Sequence, residues 1–313
     1  MKYILSLFVL LSCVCYGNPN RQFGYMGYET TNIGDDIQAI AAKRLLPKNS
    51  RHIDREFLAD FQSRAVVPTI VNGWFMHTGK AVGLHTHHTK KPTKAWPPSS
   101  SIDPLILSMH ITGSAFADMF SPEGVEYFKA HAPIGARDYY TLKKFQEHGI
   151  PSYFSGCLTL TLDNPYKGKR NDIIYAIDIS KECVEYIRSK TQSKVVEISH
   201  GVPGNIARNH KARLRYAQGL LNKYGRAKCV ITSRLHATMP CLALQTPVLF
   251  FGSDGGRFHG LAPLAHHCSC ADFMNGNYDY DVDNPPENPH HYLKIRDDLI
   301  EMVENWVEAK KYE

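Results

Sequence analysis

The sequence predicts an α/β protein built from two Rossmann-like halves, and three observations carry that prediction. Strand-like and helix-like segments alternate along the chain with no internal repeat, the pattern of parallel sheets joined by crossover helices. The length of 313 residues suggests two domains at roughly 150 residues each. The alternation is broken once, by a turn-rich stretch from Asp163 to Asn171, and resumes in a second series. Two halves meeting near residue 165 would share a cleft at the carboxyl ends of their strands.

Each element has a local reason. Asp35 can cap a helix whose third residue is Gln38, with Ile37, Ile40, Ala41 and Leu45 on one face and Pro47 as the stop. Val66 to Val71 reads as a strand running into Asn72-Gly73, and Leu105 to His110 as another, closed by Gly113. Between them, His85 to Ser101 is polar and proline-bearing and reads as a surface excursion. Ile134-Gly135-Ala136 leads to Asp138, which can cap a helix carrying Leu142 and Phe145 and ending at Gly149-Ile150-Pro151. In the second series, strands are predicted over 172–177, 194–198, 229–232 and 247–251. Helices are predicted over 181–189, 212–224 and 234–244. Leu299, Val303, Trp306 and Val307 put an amphipathic helix over 292–312.

The amino terminus reads as an address. Met1-Lys2 precedes an apolar run from Tyr3 to Tyr16, then Gly17 and the polar Asn18-Pro19-Asn20, which is the layout of a secretory signal peptide. A buried first strand is the alternative. The expected organisation is therefore a signal over 1–17, one half over 18–165 and another over 166–313 whose last helix packs back. The expected location is the secretory pathway or another extracytoplasmic compartment. No later stretch has the ~18 apolar residues that span a bilayer. The net charge of +6 comes without basic blocks, which gives no sign of nucleic-acid binding but leaves anionic substrates open. Six cysteines follow the signal; Cys157, Cys183, Cys229 and Cys241 sit in apolar contexts, and Cys268-Ser269-Cys270 lacks zinc or redox spacing.

Ser233-Arg234-Leu235-His236-Ala237 is the strongest site candidate. A strand ends at Thr232, Ser233 is a good N-cap, and a helix N-terminus beside a fixed guanidinium attracts anions. Pro240 deprives the His236 carbonyl of its helical partner, which favours a kink. A capped helix with a surface arginine would explain the same residues. Arg137 stands between a strand end and Asp138, so it also points toward the proposed cleft, unless it only pairs with a carboxylate. Two arginines from different halves would suit a small, multiply charged anion. In Asn32-Ile33-Gly34-Asp35-Asp36 the carboxylates can accept substrate protons, although capping alone explains Asp35. Gly201, Gly204, Gly252, Gly255 and Gly256 follow strands without the order of a nucleotide loop. His85-Thr86-His87-His88 lacks the carboxylates and spacing of a zinc site and reads as a polar loop; no metal is expected. Trp74, Trp96 and Tyr139-Tyr140 can stack on sugars or fill a core.

In order, Asn32-Ile33-Gly34-Asp35, Asn72-Gly73-Trp74, Ala136-Arg137-Asp138, Ser155-Gly156-Cys157, Ser233 to Ala237 and Pro247-Val248 resemble the polysaccharide pyruvyl transferase family. The resemblance implies a GT-B-type fold with a central cleft, the first half on the acceptor side and the second on the donor side. It implies transfer of pyruvate from phosphoenolpyruvate, a co-substrate, to sugar hydroxyls of a glycan or glycolipid as a ketal, without a further cofactor. By the same resemblance Arg137 and Arg234 would hold the donor's carboxylate and phosphate and His236 would be the general acid, with Ser233, Asn32 and Asp35 as binding residues. Met239-Pro240-Cys241 departs from the smoother aliphatic helix expected after the motif, and an exported chain would be separated from a cytosolic donor unless its compartment imports it. A glycosyltransferase with a nucleotide-sugar donor and a secreted carbohydrate-binding protein are the alternatives.

Overall fold

The computed structural model describes residues 21–78, 86–166, 168 and 170–313; the expected signal over 1–17 and His85 lie outside them. The fold is mixed α/β with two parallel sheets. Six strands make the first: β1 (Gly24–Gly27), β2 (Arg51–Asp54), β3 (Val67–Phe75), β4 (Ile102–Ile111), β5 (Ile134–Ala136) and β6 (Ser152–Phe154), in the order β2-β1-β3-β4-β5-β6. Its helices are α1 (Gly34–Arg44), α2 (Ala115–Met119), α3 (Pro122–Ala130) and α4 (Tyr139–Glu147). Five strands make the second: β7 (Ile173–Ile177), β8 (Lys194–Ile198), β9 (Cys229–Thr232), β10 (Val248–Phe251) and β11 (His266–Cys268), in the order β11-β10-β9-β7-β8. With them come α5 (Lys181–Ser189), α6 (His210–Tyr224), α7 (Leu235–Ala243), α8 (Cys270–Met274) and α9 (Tyr292–Tyr312).

The central strands β3 and β4 are mostly buried along their length, as parallel strands covered on both faces must be. Their register shifts between Val71 and Gly73, so Asn72 forms a bulge that re-aims the strand end carrying Trp74. Gly73 makes this possible: its φ is +112°, and a Cβ there would stand 2.6 Å from the Tyr28 hydroxyl.

Two predicted caps are corrected. α1 begins at Gly34, and the Asn32 side chain accepts the Gly34 N–H at 3.0 Å. Asp35 lies inside the first turn, where its carboxylate is drawn off by the Thr30 hydroxyl (2.6 Å) and the Gln38 amide (3.2 Å). α7 begins at Leu235 with Arg234 as its cap residue. The Thr232 hydroxyl accepts the Arg234 N–H at 2.9 Å, and Ser233 instead donates to the Asp178 carbonyl at 2.7 Å. The cap at Asp138 is as read from sequence, its carboxylate accepting the Thr141 N–H at 2.9 Å. Inside α7 the backbone leaves helical geometry at His236 (φ −83°, ψ +17°), the residue whose carbonyl Pro240 leaves without a donor.

The largest hydrophobic cluster is continuous across both halves, joining Ile37, Leu160, Tyr224, Ala237 and Val303. α1 packs against α6 and α7, and the turn Leu158–Thr161 packs against α1, α7 and α9. A fully buried ion pair crosses the same junction: Arg213 of α6 donates to both carboxylate oxygens of Asp36 on α1, at 3.0 and 2.7 Å. α9 returns to the first sheet, with Trp306 edge-on to Phe23 at 5.7 Å and Lys310 2.9 Å from Asp103. No helix among the described residues is long and apolar enough to cross a membrane.

Candidate active site

Carboxyl ends of strands from both sheets meet around a small pocket of about 30 Å³. Asn32, Trp74 and Arg137 line it from the first half; His200, Arg234, Leu235, His236 and Arg257 line it from the second. Backbone pairing between Asn32 and Gly201, with the Ile33 N–H on the His200 carbonyl at 2.8 Å, holds the two sides together.

Arg137 continues the line of β5, its N–H bonded to the Met109 carbonyl at 2.8 Å. Its side chain is buried, with Nε 3.4 Å from the Asp138 carboxylate and no hydrogen-bond partner. That carboxylate is already engaged, since its Oδ2 lies 2.6 Å from His110 Nδ1. Burial alone would raise the Asp138 carboxyl, but the His110 contact and the Arg137 charge hold it below its usual value. Arg234 is better matched, its Nε donating to Asp178 Oδ2 at 2.7 Å. Arg257 comes from the short turn Gly256–Phe258 after β10, and its guanidinium lies 5.0 Å above the Trp74 ring. Burial, then the Arg137 and Arg234 charges, lower its pKa, the signature of cations crowded together.

His236 is held by α1. A Cβ on Gly34 would stand 3.0 Å from both Cβ and Nδ1 of His236, so glycine at that position makes room for the ring. The His236 Nε2 is buried with no hydrogen-bond partner. Burial, then Arg137, His200, Arg257 and His110, push its pKa well below the usual value. His200 and His110 are both lowered to about 4, in each case chiefly by burial. His200 also holds the Tyr224 hydroxyl at 2.8 Å. The charge count of the site is then three guanidiniums against Asp138 and Asp178, with neutral imidazoles between. Such an arrangement can hold a multiply charged anion, and it can protonate a substrate only after an anion has raised a histidine.

Of the residues singled out from sequence, Arg137, Arg234, His236 and Asn32 line one pocket. Ser233 lies beside it and lines a different cavity, while Asp35 is buried among its own partners and lines neither. Arg257, His200 and the His110–Asp138 pair were not singled out. Gly255-Gly256 was the one available signal for Arg257. His88, read as part of a polar loop, is buried against Asp54 at 2.7 Å, with Glu29 at 3.8 Å. These three groups are the one cluster with metal-ligand spacing among the described residues. Burial opposes the charge on His88, yet the Asp54 hydrogen bond and the Asp54 and Glu29 charges raise its pKa.

A family model described as polysaccharide pyruvyl transferase matches residues 32–255. Among solved structures, an uncharacterized protein from Klebsiella pneumoniae subsp. pneumoniae is similar at 14% identity with a TM-score of 0.46, covering 77% of this chain and 86% of that one. No curated protein matches the chain.

Proposed function

The chain belongs to the polysaccharide pyruvyl transferase family and is a transferase; from that premise we propose that it moves pyruvate from phosphoenolpyruvate to glycan hydroxyls at the three-arginine pocket. The observation that carries this reading is Arg137, a buried guanidinium whose one ion-pair carboxylate among the described residues is shared with His110, facing Arg234 and Arg257. Burying a charge without a full partner is costly, and a dianionic ligand repays that cost. Arg137 and Arg234 clamp the donor's carboxylate and phosphate, and Arg257 adds a third cation from above Trp74. The pocket as it stands has room for about two water molecules. Donor binding therefore requires the pocket to widen.

In the empty site His236 is neutral and cannot act as an acid. The donor's negative charge reverses the repulsion from the arginines and raises the histidine. His236 then delivers its proton to the methylene carbon, which becomes a methyl group. A sugar hydroxyl attacks the electron-poor C2 and gives up its proton, phosphate leaves with the C–O bond pair, and a second hydroxyl closes the ketal. Of the two hydroxyl protons released, one restores His236 and one protonates phosphate. The halves take the GT-B arrangement in this reading, with the donor between them, and the chain works beyond the cytosol. The test is donor-dependent phosphate release by the purified chain in the presence of a glycan acceptor. Phosphoenolpyruvate that neither binds nor turns over would overturn it.

A further inference from the structure

A larger cavity lies beside the three-arginine pocket and has the opposite character. It encloses about 830 Å³ at the carboxyl ends of β7, β9, β10 and β11, all in the second half. That position and size are those of a ligand site in an open α/β sheet. Three carboxylates line it, Asp178, Asp254 and Asp272, and no lysine or arginine does. Ser180, Ser253, Ser269 and Asn277 add hydroxyl and amide groups, while Phe251 and Tyr278 add aromatic surface. A diphosphate brought here would meet three carboxylates, one of them, Asp178, paired with Arg234 of the neighbouring pocket. A neutral polyol would find acceptors for its hydroxyls and ring faces for its C–H surface.

The two spaces are adjacent through the backbone. Ser233 lines the cavity and Arg234 lines the arginine pocket. Asp178 belongs to the cavity wall and accepts the Arg234 hydrogen bond at 2.7 Å. A ligand seated in the cavity thus presents its end one residue away from the donor clamp. We infer that the 830 Å³ cavity is the acceptor subsite and takes the neutral terminal sugars of a glycan, not a nucleotide or another phosphorylated ligand. This moves the acceptor from the first half, where the family resemblance put it, to the second. The assignment of an acceptor role rests on the pyruvyl-transfer reading; the preference for a neutral glycan rests on the cavity alone.

The experiment is a binding comparison on the full chain. A panel of neutral, sialylated and sulfated oligosaccharides is screened together with UDP and GDP, and the strongest ligand is titrated by calorimetry. Ser253→Trp fills the cavity without removing a hydrogen bond identified in the structure, and Tyr278→Ala removes an aromatic face from its wall. Phosphoenolpyruvate is titrated into the same variants. Expected are saturable binding of a neutral oligosaccharide, at least tenfold weaker in each variant, and unchanged phosphoenolpyruvate affinity. UDP or GDP binding that the same variants abolish would overturn the inference. So would the absence of any neutral ligand, or glycan affinity indifferent to both variants. Loss of phosphoenolpyruvate binding in the unmodified chain, with glycan binding intact and variant-sensitive, would sink the donor reading and leave the cavity as a glycan site.

Discussion

Arg137 and Arg234 differ in how their charge is met, and that difference sets what each substitution does. Arg234 is hydrogen-bonded to Asp178, which also accepts the His200 N–H, whereas Arg137 shares Asp138 with His110 and keeps a buried Nε unpartnered. Replacing Arg137 with Met should spare the fold and weaken donor binding by about 2 kcal/mol or more, some 30-fold, because its charge is compensated mainly by the ligand. Donor titration against thermal denaturation of the variant checks both halves of that statement. For His236, a low pKa in the empty site and a protonated state in the donor complex require proton uptake on binding, close to one proton per donor at neutral pH. Calorimetry in buffers of different ionisation enthalpy reads it directly, and no uptake would remove His236 as the acid. The sign for turnover follows: kcat falls as pH rises through the pKa of the complex, so the alkaline limb belongs to His236. His236→Gln should lose roughly 10²–10⁴-fold in turnover and lose that limb.

α1 and α7 meet at Gly34 and His236, where sequence motifs some two hundred residues apart make one contact. Gly34→Ala adds a Cβ at 3.0 Å from the imidazole, at the first residue of α1, where the helix itself tolerates alanine. Stability should therefore change little, and kcat should drop at least tenfold because the ring is displaced from its working position. A stable, fully active Gly34→Ala chain would show that His236 has slack. The kink in α7 works toward the same end. Pro240 frees the backbone at His236 from helical geometry, so the ring is aimed by its contact with α1 more than by the helix it belongs to.

At the scale of the molecule, the two sheets are joined by one apolar cluster and by Arg213–Asp36. Burial raises the Asp36 carboxyl to about 6 even though the Arg213 hydrogen bond and charge lower it, so the pair is held at a cost in desolvation. Arg213→Met leaves a buried carboxylate alone and should lower stability by about 3–5 kcal/mol at neutral pH, whereas Arg213→Met with Asp36→Leu should recover most of it. Denaturant titration of the three proteins checks the cycle. The proposed signal at the amino terminus also belongs to this scale. Intact-mass measurement on protein from its natural compartment should find a chain beginning near Asn18, and retention of Met1 to Gly17 would remove the argument for export.

Local chemistry in the sequence determined most of the architecture. The long apolar strands β3 and β4, the cap at Asp138, and the switch from one series to the next are statements about neighbouring residues, and they can be read without coordinates. The motif around Arg234 and His236 carried the family for the same reason. Short elements escaped: β1, β2, β6 and β11 span three or four residues each, too few for a period to show. So did the caps at Asp35 and Ser233, because each side chain had a competing partner, Thr30 with Gln38 in one case and the Asp178 carbonyl in the other. Tertiary structure alone decided what surrounds the charges. It placed Arg257 over Trp74, made Asp138 serve both His110 and Arg137, fitted His236 against Gly34 and set an acidic cavity beside a basic pocket. The strength of a charge depends on burial and on partners brought from distant parts of the chain, and neither is a property of a residue's place in the sequence.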